Sequence, residues 1–411
     1  MKEGNKMQTI KAAHILLPKE TIDMYKWAVI ACDQYTCQPM YWQDLKKYVG
    51  GEPSTLNCIF PEVYLSKDNS PMIQKINQAM EFYIEQEFLV DMGPSMMLVD
   101  RTTTGGKHRL GLVLAIDLED YNYEPGSKSL IRATEDTILD RLPPRVQIRE
   151  KASIEFPHTL LLVNDPEVHI IETLFQNRHL YKKCYDFDLN MDGGHVAGYQ
   201  ITECDGVINQ FYSLIEGQTD PLLFVVGDGN HSLATAKAHW ESVKKQIPLH
   251  QRGEHTARYA LVEVINLYDP GMSFEAIHRV VFHAEPGFVD ALKNAVGGES
   301  STWMFSNELG KINLDLPISA PKAYKVIQAY VEQLATLHPQ VEIDYIHGEN
   351  HLMEVCRERI GSVGICMPTL SKSDLFETIK QGQVLPKKSF SMGHASDKRY
   401  YLESKKIIGF L

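Results

Sequence analysis

The middle of the sequence carries a short, continuously apolar run that ends at two closely spaced glycines. Residues 222–226 are all apolar and are typical of a buried strand. The pattern of residues 232–243 predicts a helix, and that of residues 257–265 predicts another strand. Because a buried strand, a helix and a further strand follow one another, the sequence favours a mixed sheet with crossover helices. We therefore predict an α/β (α+β) fold.

Similar patterns predict elements over much of the remaining chain. Helices are predicted at residues 71–88, 134–139, 166–175, 207–215, 321–337 and 372–380. Strands are predicted at residues 108–118, 157–163, 183–189, 195–203, 341–345 and 362–367. The turn Asp192-Gly193-Gly194 favours a hairpin between two of these strands. Because the elements become shorter beyond about residue 285, we predict a main α/β domain over residues 1–290 and a smaller C-terminal αβ domain over residues 291–411.

Composition restricts the classes of function. A formal net charge of −12 argues against general binding to nucleic acid, whose phosphates such a surface repels. The seven cysteines are an odd number without CxxC spacing, which favours reduced thiols. No apolar run approaches the roughly 20 residues of a membrane helix. We expect a cytoplasmic protein without a membrane part, and we leave its oligomeric state open.

The turn at residues 227–232 combines the features of an anion site. Gly227 and Gly229 can take positive φ, so the chain can turn sharply and direct backbone N–H groups outward. The following helix adds unpaired N–H groups and the positive end of its dipole. Three further residues supply side-chain donors at the same place, namely Asn230, His231 and Ser232.

Asp228 adds a carboxylate to this turn. It can hold Mg²⁺, which favours one or two carboxylates together with phosphate oxygens, or act as a general base. The alternative is that Asp228 or Ser232 caps the helix and the glycines only turn the chain. The turn also approaches the dinucleotide fingerprint G-x-G-x-x-G. However, Ser232 replaces the third glycine, and no acidic residue ends a following strand about 20 residues further on.

Residues 132–151 form the main concentration of basic side chains. If Pro144 opens a helix, Arg145 and Arg149 lie one turn apart and can clamp a phosphate. Glu135 stands close to them in sequence and can serve as a base. The alternative is a solvated helix face with ion pairs along the helix.

Several segments together resemble one family. The segments are 224–232, then Arg132, Glu135, Thr137 and Arg141, then Asp269-Pro270-Gly271 with His278-Arg279, and finally 384–389. Taken in their order along the chain, these segments resemble the Domain of Unknown Function 1015 family. Asn230 stands where the family pattern has the first histidine of the turn, and Ser232 stands where it has an arginine.

The resemblance implies a fold and a function. The family is similar to the ParB and sulfiredoxin-like superfamily, which includes nucleotide-dependent kinases acting on free serine. The implied core is therefore ParB/sulfiredoxin-like. A nucleotide phosphate is expected near residues 228–232, with Glu135 as the base.

We accordingly predict a phosphotransferase that uses ATP or ADP and acts on a small hydroxylated metabolite such as serine. The alternatives are a non-catalytic binder of a nucleotide or phosphometabolite, and a ParB-like protein acting on nucleic acid. The predicted catalytic residues are Glu135, Asp228 and His231, and Asp228 is also the predicted Mg²⁺ ligand. The predicted phosphate-binding residues are Gly227, Gly229, Asn230, Ser232, Arg141, Arg145 and Lys387.

Overall fold

A computed structural model describes residues 9–36, 38–66, 68–137 and 142–410. The chain divides into two compact units. Unit 1 comprises Met1–Ala133, Thr137–Met272 and His394–Leu411. Unit 2 comprises Thr134–Asp136 and Ser273–Gly393. The last segment of the chain thus belongs to the same unit as the first.

Unit 1 is built on a sheet that contains eleven strands within the described residues, in the order β10-β11-β4-β5-β13-β9-β12-β7-β6 with β1 on β5 and β2 on β4. The strands of this unit before unit 2 begins are β1 Ile10–Lys11, β2 Ala13–Pro18, β3 Val29–Ile30, β4 Leu89–Thr102, β5 His108–Asp117, β6 Tyr121–Asn122, β7 Ile131–Arg132, β8 Ile154–Glu155, β9 Leu160–Val163, β10 Lys182–Leu189, β11 Gly194–Ile201, β12 Phe224–Asp228 and β13 Tyr259–Asn266.

The large sheet is mixed, as predicted. β9 runs parallel to β13 and antiparallel to β12, while β12 runs parallel to β7. Both faces of the sheet are covered, because neighbouring residues of one strand enter different cores: Met97 packs in one cluster and Leu98 in the other. Burial on both faces explains why β5 and β13 are almost continuously apolar rather than alternating. The predicted hairpin is confirmed by the antiparallel pairing of β10 with β11.

The helices of unit 1 lie over this sheet. They are α1 Met24–Trp27, α2 Pro39–Val49, α3 Ser70–Glu85, α4 Leu142–Glu150, α5 Ile171–Gln176, α6 Cys204–Ser213 and α7 Asn230–Val243. α4 packs against α7.

The helix predicted at residues 134–139 is wrong in its described part. Glu135 instead forms a parallel bridge with Leu385, and both flanking backbone groups pair with that residue. Leu385 N–H donates to the carbonyl of Thr134 at 2.8 Å, and Asp136 N–H donates to the carbonyl of Leu385 at 3.1 Å. Pairing with a distant segment has overridden the local helical pattern.

Unit 2 has its own sheet of six strands within the described residues, in the order β16-β15-β18-β14-β17 with β19 on β14. Its strands are β14 Phe274–Phe282, β15 Ser300–Ser306, β16 Gly310–Leu316, β17 Glu342–His347, β18 Val363–Ile365 and β19 Phe390–Met392. Its helices are α8 Phe288–Val296, α9 Ala320–Leu337, α10 Glu349–Glu358 and α11 Lys372–Lys380. Ser371 caps α11, since its Oγ accepts from Asp374 N–H at 3.0 Å. The main segment of unit 2 thus begins at Ser273, whereas the sequence predicted a division near 290.

The chain then returns to unit 1 through two short strands, β20 Tyr400–Tyr401 and β21 Lys405–Lys406. β20 pairs with β3 and β21 pairs with β8, both antiparallel. Despite five charged side chains, every residue from 397 to 405 is buried. Among the described helices, none combines the length and the apolar character needed to cross a membrane.

Candidate functional site

The turn that follows β12 depends on a glycine at one position. Gly229 is the N-cap of α7 and has a φ of 84°. A Cβ at this position would lie 2.9 Å from Thr159 Oγ1 and 3.0 Å from Thr159 Cα, so no other residue fits without a shift. Gly227 behaves differently, because it belongs to β12 and is not among the described residues with positive φ. It lies where the pairing of β12 with β9 shifts its register, between Val226 and Asp228.

Asp228 forms an ion pair that the sequence did not predict. Its Oδ2 lies 2.9 Å from Nζ of Lys398, a residue of the returning C-terminal segment. Its Oδ1 accepts a hydrogen bond of 2.9 Å from the N–H of Gly229. The Lys398 side chain is only 8% exposed, so the pair is shielded from solvent on the lysine side. Lys398 therefore offsets the negative charge of Asp228 at the start of the helix.

No side chain caps α7. The helix begins two residues earlier than predicted, so Asn230, His231 and Ser232 form its first turn, and all three are half-buried. The alternative in which Asp228 or Ser232 serves as the cap is therefore not observed. An uncapped N-terminus directs its first N–H groups and its dipole at whatever lies in front of it.

A second cluster lies at the end of β3, next to the same lysine. Asp33 Oδ2 is 4.0 Å from Nε2 of His158, and Nδ1 of His158 is 2.8 Å from the hydroxyl of Tyr401. The Tyr401 hydroxyl also donates to Sγ of Cys32 at 3.0 Å. Cys32 and Asp33 follow β3, which ends at Ile30. His158 is thus hydrogen-bonded at Nδ1, and its Nε2 faces the Asp33 carboxylate.

Charge and burial set the protonation of this cluster. Burial by itself raises the pKa of Asp33, but His158, a hydrogen bond from the Gln34 side chain and the charge of Lys398 together bring that pKa below its usual value. Burial, assisted by nearby carboxylates, raises the pKa of the Cys32 thiol. Asp33 is thus a carboxylate at neutral pH, while Cys32 is a protonated thiol and a poor nucleophile.

The two arginines of the predicted phosphate clamp each pair with a different carboxylate. Arg145 forms an ion pair with Glu62, and Arg149 forms one with Glu155. Glu62 lies close to the second cluster, because its N–H donates to the carbonyl of Cys32 at 2.8 Å. Arg141 lies outside the described residues.

Glu135 and Lys387 both belong to unit 2. The Glu135 carboxylate accepts hydrogen bonds from the backbone N–H groups of Lys388 at 3.0 Å and Ser389 at 2.9 Å. Burial raises the pKa of Glu135, although these two hydrogen bonds act in the opposite direction. Lys387 Nζ lies 3.4 Å from Glu332. The remaining predicted site residues, from Gly227 to Ser232 together with Arg145, belong to unit 1.

The predicted site residues of unit 1 fit a metal ion poorly. Both oxygens of Asp228 are already engaged, one by Lys398 and one by Gly229. Within the described residues, no group of three or more His, Cys, Asp or Glu side chains is arranged to hold a metal ion. Mg²⁺ would therefore need ligands from a bound phosphate in addition to Asp228.

Sequence reasoning missed Lys398 and His158. Lys398 stands in the run 396–399, Ser-Asp-Lys-Arg, which reads as an exposed charged segment. His158 is a lone histidine between Pro157 and Thr159, without a motif around it. The available signal was weak in both cases: a tyrosine pair directly after a charged run, and a histidine at the start of a buried strand.

Comparison with known proteins identifies the family. Residues 13–407 match the family described as "Protein of unknown function (DUF1015)", and the chain therefore belongs to that family. The resemblance found in the sequence is confirmed over most of the chain. No curated protein matches the sequence.

Several solved structures are similar to part of the fold. A conserved hypothetical protein from Pyrococcus furiosus is 13% identical, with 72% of this chain and 95% of that chain covered and a TM-score of 0.36. A free serine kinase in complex with AMP is 10% identical, with 72% and 91% covered and a TM-score of 0.38. SbnI with C-terminal truncation from Staphylococcus aureus is 10% identical, with 70% and 85% covered and a TM-score of 0.36. At this level the similarity carries no conclusion about activity.

Proposed function

We propose that this protein binds the phosphate groups of a nucleotide at the N-terminus of α7 and transfers a phosphoryl group to a small hydroxylated metabolite. The observation that carries the proposal is the buried Lys398 ammonium group, 2.9 Å from Asp228, at a helix start that no side chain caps. ATP or ADP is the proposed donor. A ParB/sulfiredoxin-like core stays a prediction.

The chemistry of phosphoryl transfer suits such a site. The reaction depends on positioning and on stabilising charge rather than on covalent catalysis. In the proposed complex, the N–H groups of residues 230–232 and the helix dipole hold phosphate oxygens. Lys398 exchanges part of its contact with Asp228 for the phosphate and neutralises developing charge. Mg²⁺, bound through phosphate oxygens and Asp228, would supply further neutralisation.

Two residues are proposed as the base that takes the acceptor's proton. Glu135 was predicted from the family resemblance, and burial raises its pKa toward the range useful in general base catalysis. His158 lies in unit 1 itself, between Asp33 at 4.0 Å and Tyr401 at 2.8 Å. The two assignments make different predictions for variants.

A binder without transferase activity is the second candidate. It is favoured by the engagement of both Asp228 oxygens, because a carboxylate that is already paired is a weaker base. In that case nucleotide binding persists and no acceptor is phosphorylated.

The first test is calorimetric titration of the full chain with ADP, ATP and pyrophosphate, with and without Mg²⁺. Lys398→Met should weaken binding by about tenfold or more, the equivalent of roughly 1.4 kcal/mol for a lost charged contact. Lys183→Met is the matched control, since Lys183 is an exposed lysine whose Nζ pairs with Asp186 at 2.6 Å. Equal affinity of the wild-type and Lys398→Met proteins, or no binding by the folded wild-type protein, would refute the proposed site.

The second test separates the two candidate functions and the two bases. ATP consumption is measured with a panel of small alcohols and hydroxy acids, serine included. Substitution of the residue that acts as the base should lower the rate of phosphoryl transfer by about 10²-fold or more, while nucleotide affinity stays the same. Glu135→Gln and His158→Asn are therefore compared in both assays. Tight nucleotide binding with no turnover for any acceptor would favour the non-catalytic binder.

A further inference from the structure

Unit 1 contains a second charged cavity, separate from the start of α7. It lies between the centre of the large sheet and the returning C-terminal segment, and encloses about 300 Å³ when its open mouth is included. The polar residues around it are mainly Arg101, Arg109, Arg399, Glu263, Glu403 and Tyr400. The three arginines and two glutamates are each at least nine-tenths buried, and their formal charges sum to +1.

Arg399 pairs with both glutamates of the cavity. Arg399 forms ion pairs with Glu263 and with Glu403, and its Nε donates to the carbonyl of Pro157 at 2.9 Å. The Tyr185 hydroxyl donates to the second oxygen of Glu403. Oε1 of Glu263 keeps no hydrogen-bond partner within the described part of the chain. The negative charge of the cavity is thus concentrated around Arg399.

Within the described residues, the other two arginines form no ion pair, although the charges of Glu263 and Asp397 act on Arg101 and the charge of Asp269 lies near Arg109. Arg101 and Arg109 stand directly opposite one another on the antiparallel strands β4 and β5. Arg101 donates to the carbonyls of Gly193 at 2.6 Å and Ser396 at 3.2 Å, and Arg109 donates to the carbonyl of Asp397 at 3.0 Å. The Nε atoms of both arginines lack a hydrogen-bond partner among the described residues.

Such an arrangement is unfavourable without a counterion. Like charges directly opposite one another in a sheet destabilise the pair, and buried guanidinium groups require acceptors. Burial and the neighbouring Arg109 lower the pKa of Arg101 to about 10, so Arg101 still carries charge at neutral pH. Backbone carbonyls supply only some of the acceptors that the N–H groups of two guanidinium groups require.

We infer that the cavity beside Arg101 and Arg109 is a binding site for the carboxylate group of a small organic acid. Two guanidinium forks match the planar geometry of a carboxylate. A monoanion places less negative charge next to Glu263 than a phosphate dianion does. The inference does not depend on the proposed nucleotide site, because it uses other residues and another group of the ligand.

Thermal unfolding of the full chain with sodium acetate tests this inference, with sodium chloride at equal ionic strength as the reference. A ligand that binds only the folded protein raises the melting temperature further with the logarithm of its concentration once that concentration exceeds Kd. The expected result is such a logarithmic rise with acetate above that with chloride. The rise should fall to the chloride level in Arg101→Met and in Arg109→Met. Arg252→Met is the charge-matched control, since Arg252 Nε donates to the carbonyl of Ile247 at 3.0 Å elsewhere in unit 1.

Three further arms make the test decisive. Arg101→Lys and Arg109→Lys retain the charge and should bind acetate at least tenfold more weakly, which keeps the test valid if the methionine variants do not fold. Lys398→Met should retain the acetate effect, and loss of the effect there would assign the anion to the start of α7 and overturn the inference. A larger effect of inorganic phosphate than of acetate would overturn the choice of a carboxylate. An acetate effect equal to that of chloride would overturn the site.

Discussion

At the scale of single residues, Gly229 tolerates substitution poorly for a local reason. Its φ of 84° and its closeness to Thr159 both exclude a side chain. We expect Gly229→Ala to lower the free energy of unfolding by about 3 kcal/mol, the sum of left-handed strain and overpacking. Equilibrium unfolding in urea measures this loss.

Gly217 provides the control for this prediction. Its φ is 73°, but a Cβ there meets no atom within 4 Å. Gly217→Ala should therefore cost only the backbone strain, roughly 1 kcal/mol. If both variants lose the same free energy, contact with Thr159 does not contribute and the tight start of α7 has another cause.

Sequence reasoning found the turn itself but not its charged partner. The glycines and polar residues of 227–232 are adjacent in sequence, so local rules were enough to predict a strand, a sharp turn and a helix. Lys398 is separated from Asp228 by 170 positions, and a lysine in a charged run carries no sign of burial. Its contact depends on where the returning segment lies in the fold, which no local pattern states.

At the scale of elements, a hydrogen bond connects His278 of β14 with the backbone just beyond β18. This bond requires the histidine to stay neutral. Nδ1 of His278 accepts the N–H of Met367, just beyond β18, at 3.1 Å. Burial, with a smaller effect from Arg279 and against the attraction of Glu349, lowers the pKa of His278 to about 4. His278 is therefore held by the backbone as a neutral acceptor.

The lowered pKa of His278 makes the stability of unit 2 depend on pH. The unfolded chain takes up the proton near pH 6.5, whereas the folded chain takes it up near pH 4. Stability is therefore full above pH 6.5 and falls as the pH decreases toward 4, by about 3 kcal/mol at the lower end. Hydrogen exchange of unit 2 peptides at pH 7 and pH 4.5 should show the loss, and His278→Gln should reduce it.

His351 supplies the control for the pH experiment. It is an exposed histidine of the same unit. The loss of stability at low pH should persist in His351→Gln, because His278 is still present there. A pH dependence that His278→Gln leaves unchanged would contradict a role for this residue.

The elements predicted best are those whose contacts are repeated along one face. The observed helices α9 and α11 agree closely with the predictions at residues 321–337 and 372–380, since each shows apolar residues at helical spacing. The prediction at residues 134–139 was wrong because those residues pair with Leu385. A pairing partner 250 positions away in the sequence cannot be predicted from the local pattern of a few residues.

At the scale of the whole molecule, the chain is not divided at one point. Residues 134–136 belong to unit 2 although their neighbours on both sides belong to unit 1, and residues from 394 onward return to unit 1. A sequence pattern can indicate that the composition of elements changes near residue 285. It cannot indicate a return, because the returning strands β20 and β21 are only two residues long each.

Because the C-terminal segment belongs to unit 1, we predict that the stability of unit 1 depends on this segment. Trp27 Nε1 donates to the carbonyl of Leu402 at 3.0 Å, and Leu16 and Ser404 exchange two backbone hydrogen bonds of 2.8 and 3.0 Å. Removal of residues 394–411 leaves these buried groups unpaired and opens the core around them. We expect unit 1 to lose its fold in the truncated chain, although unit 1 contains the N-terminal end of the protein.

Hydrogen exchange measured peptide by peptide checks this prediction, with unit 2 as the internal reference. Peptides from β4, β5 and β13 should lose protection by about 100-fold or more, because opening of a cooperative region exposes all its amides together. Peptides from α9 and α11 should keep theirs, since α9 packs in the separate apolar core of unit 2 around Tyr324 and Ile327 and α11 packs against α9. Equal loss in both units would mean that they unfold as one, and retained protection in unit 1 would mean that the returning segment covers a core already stable without it.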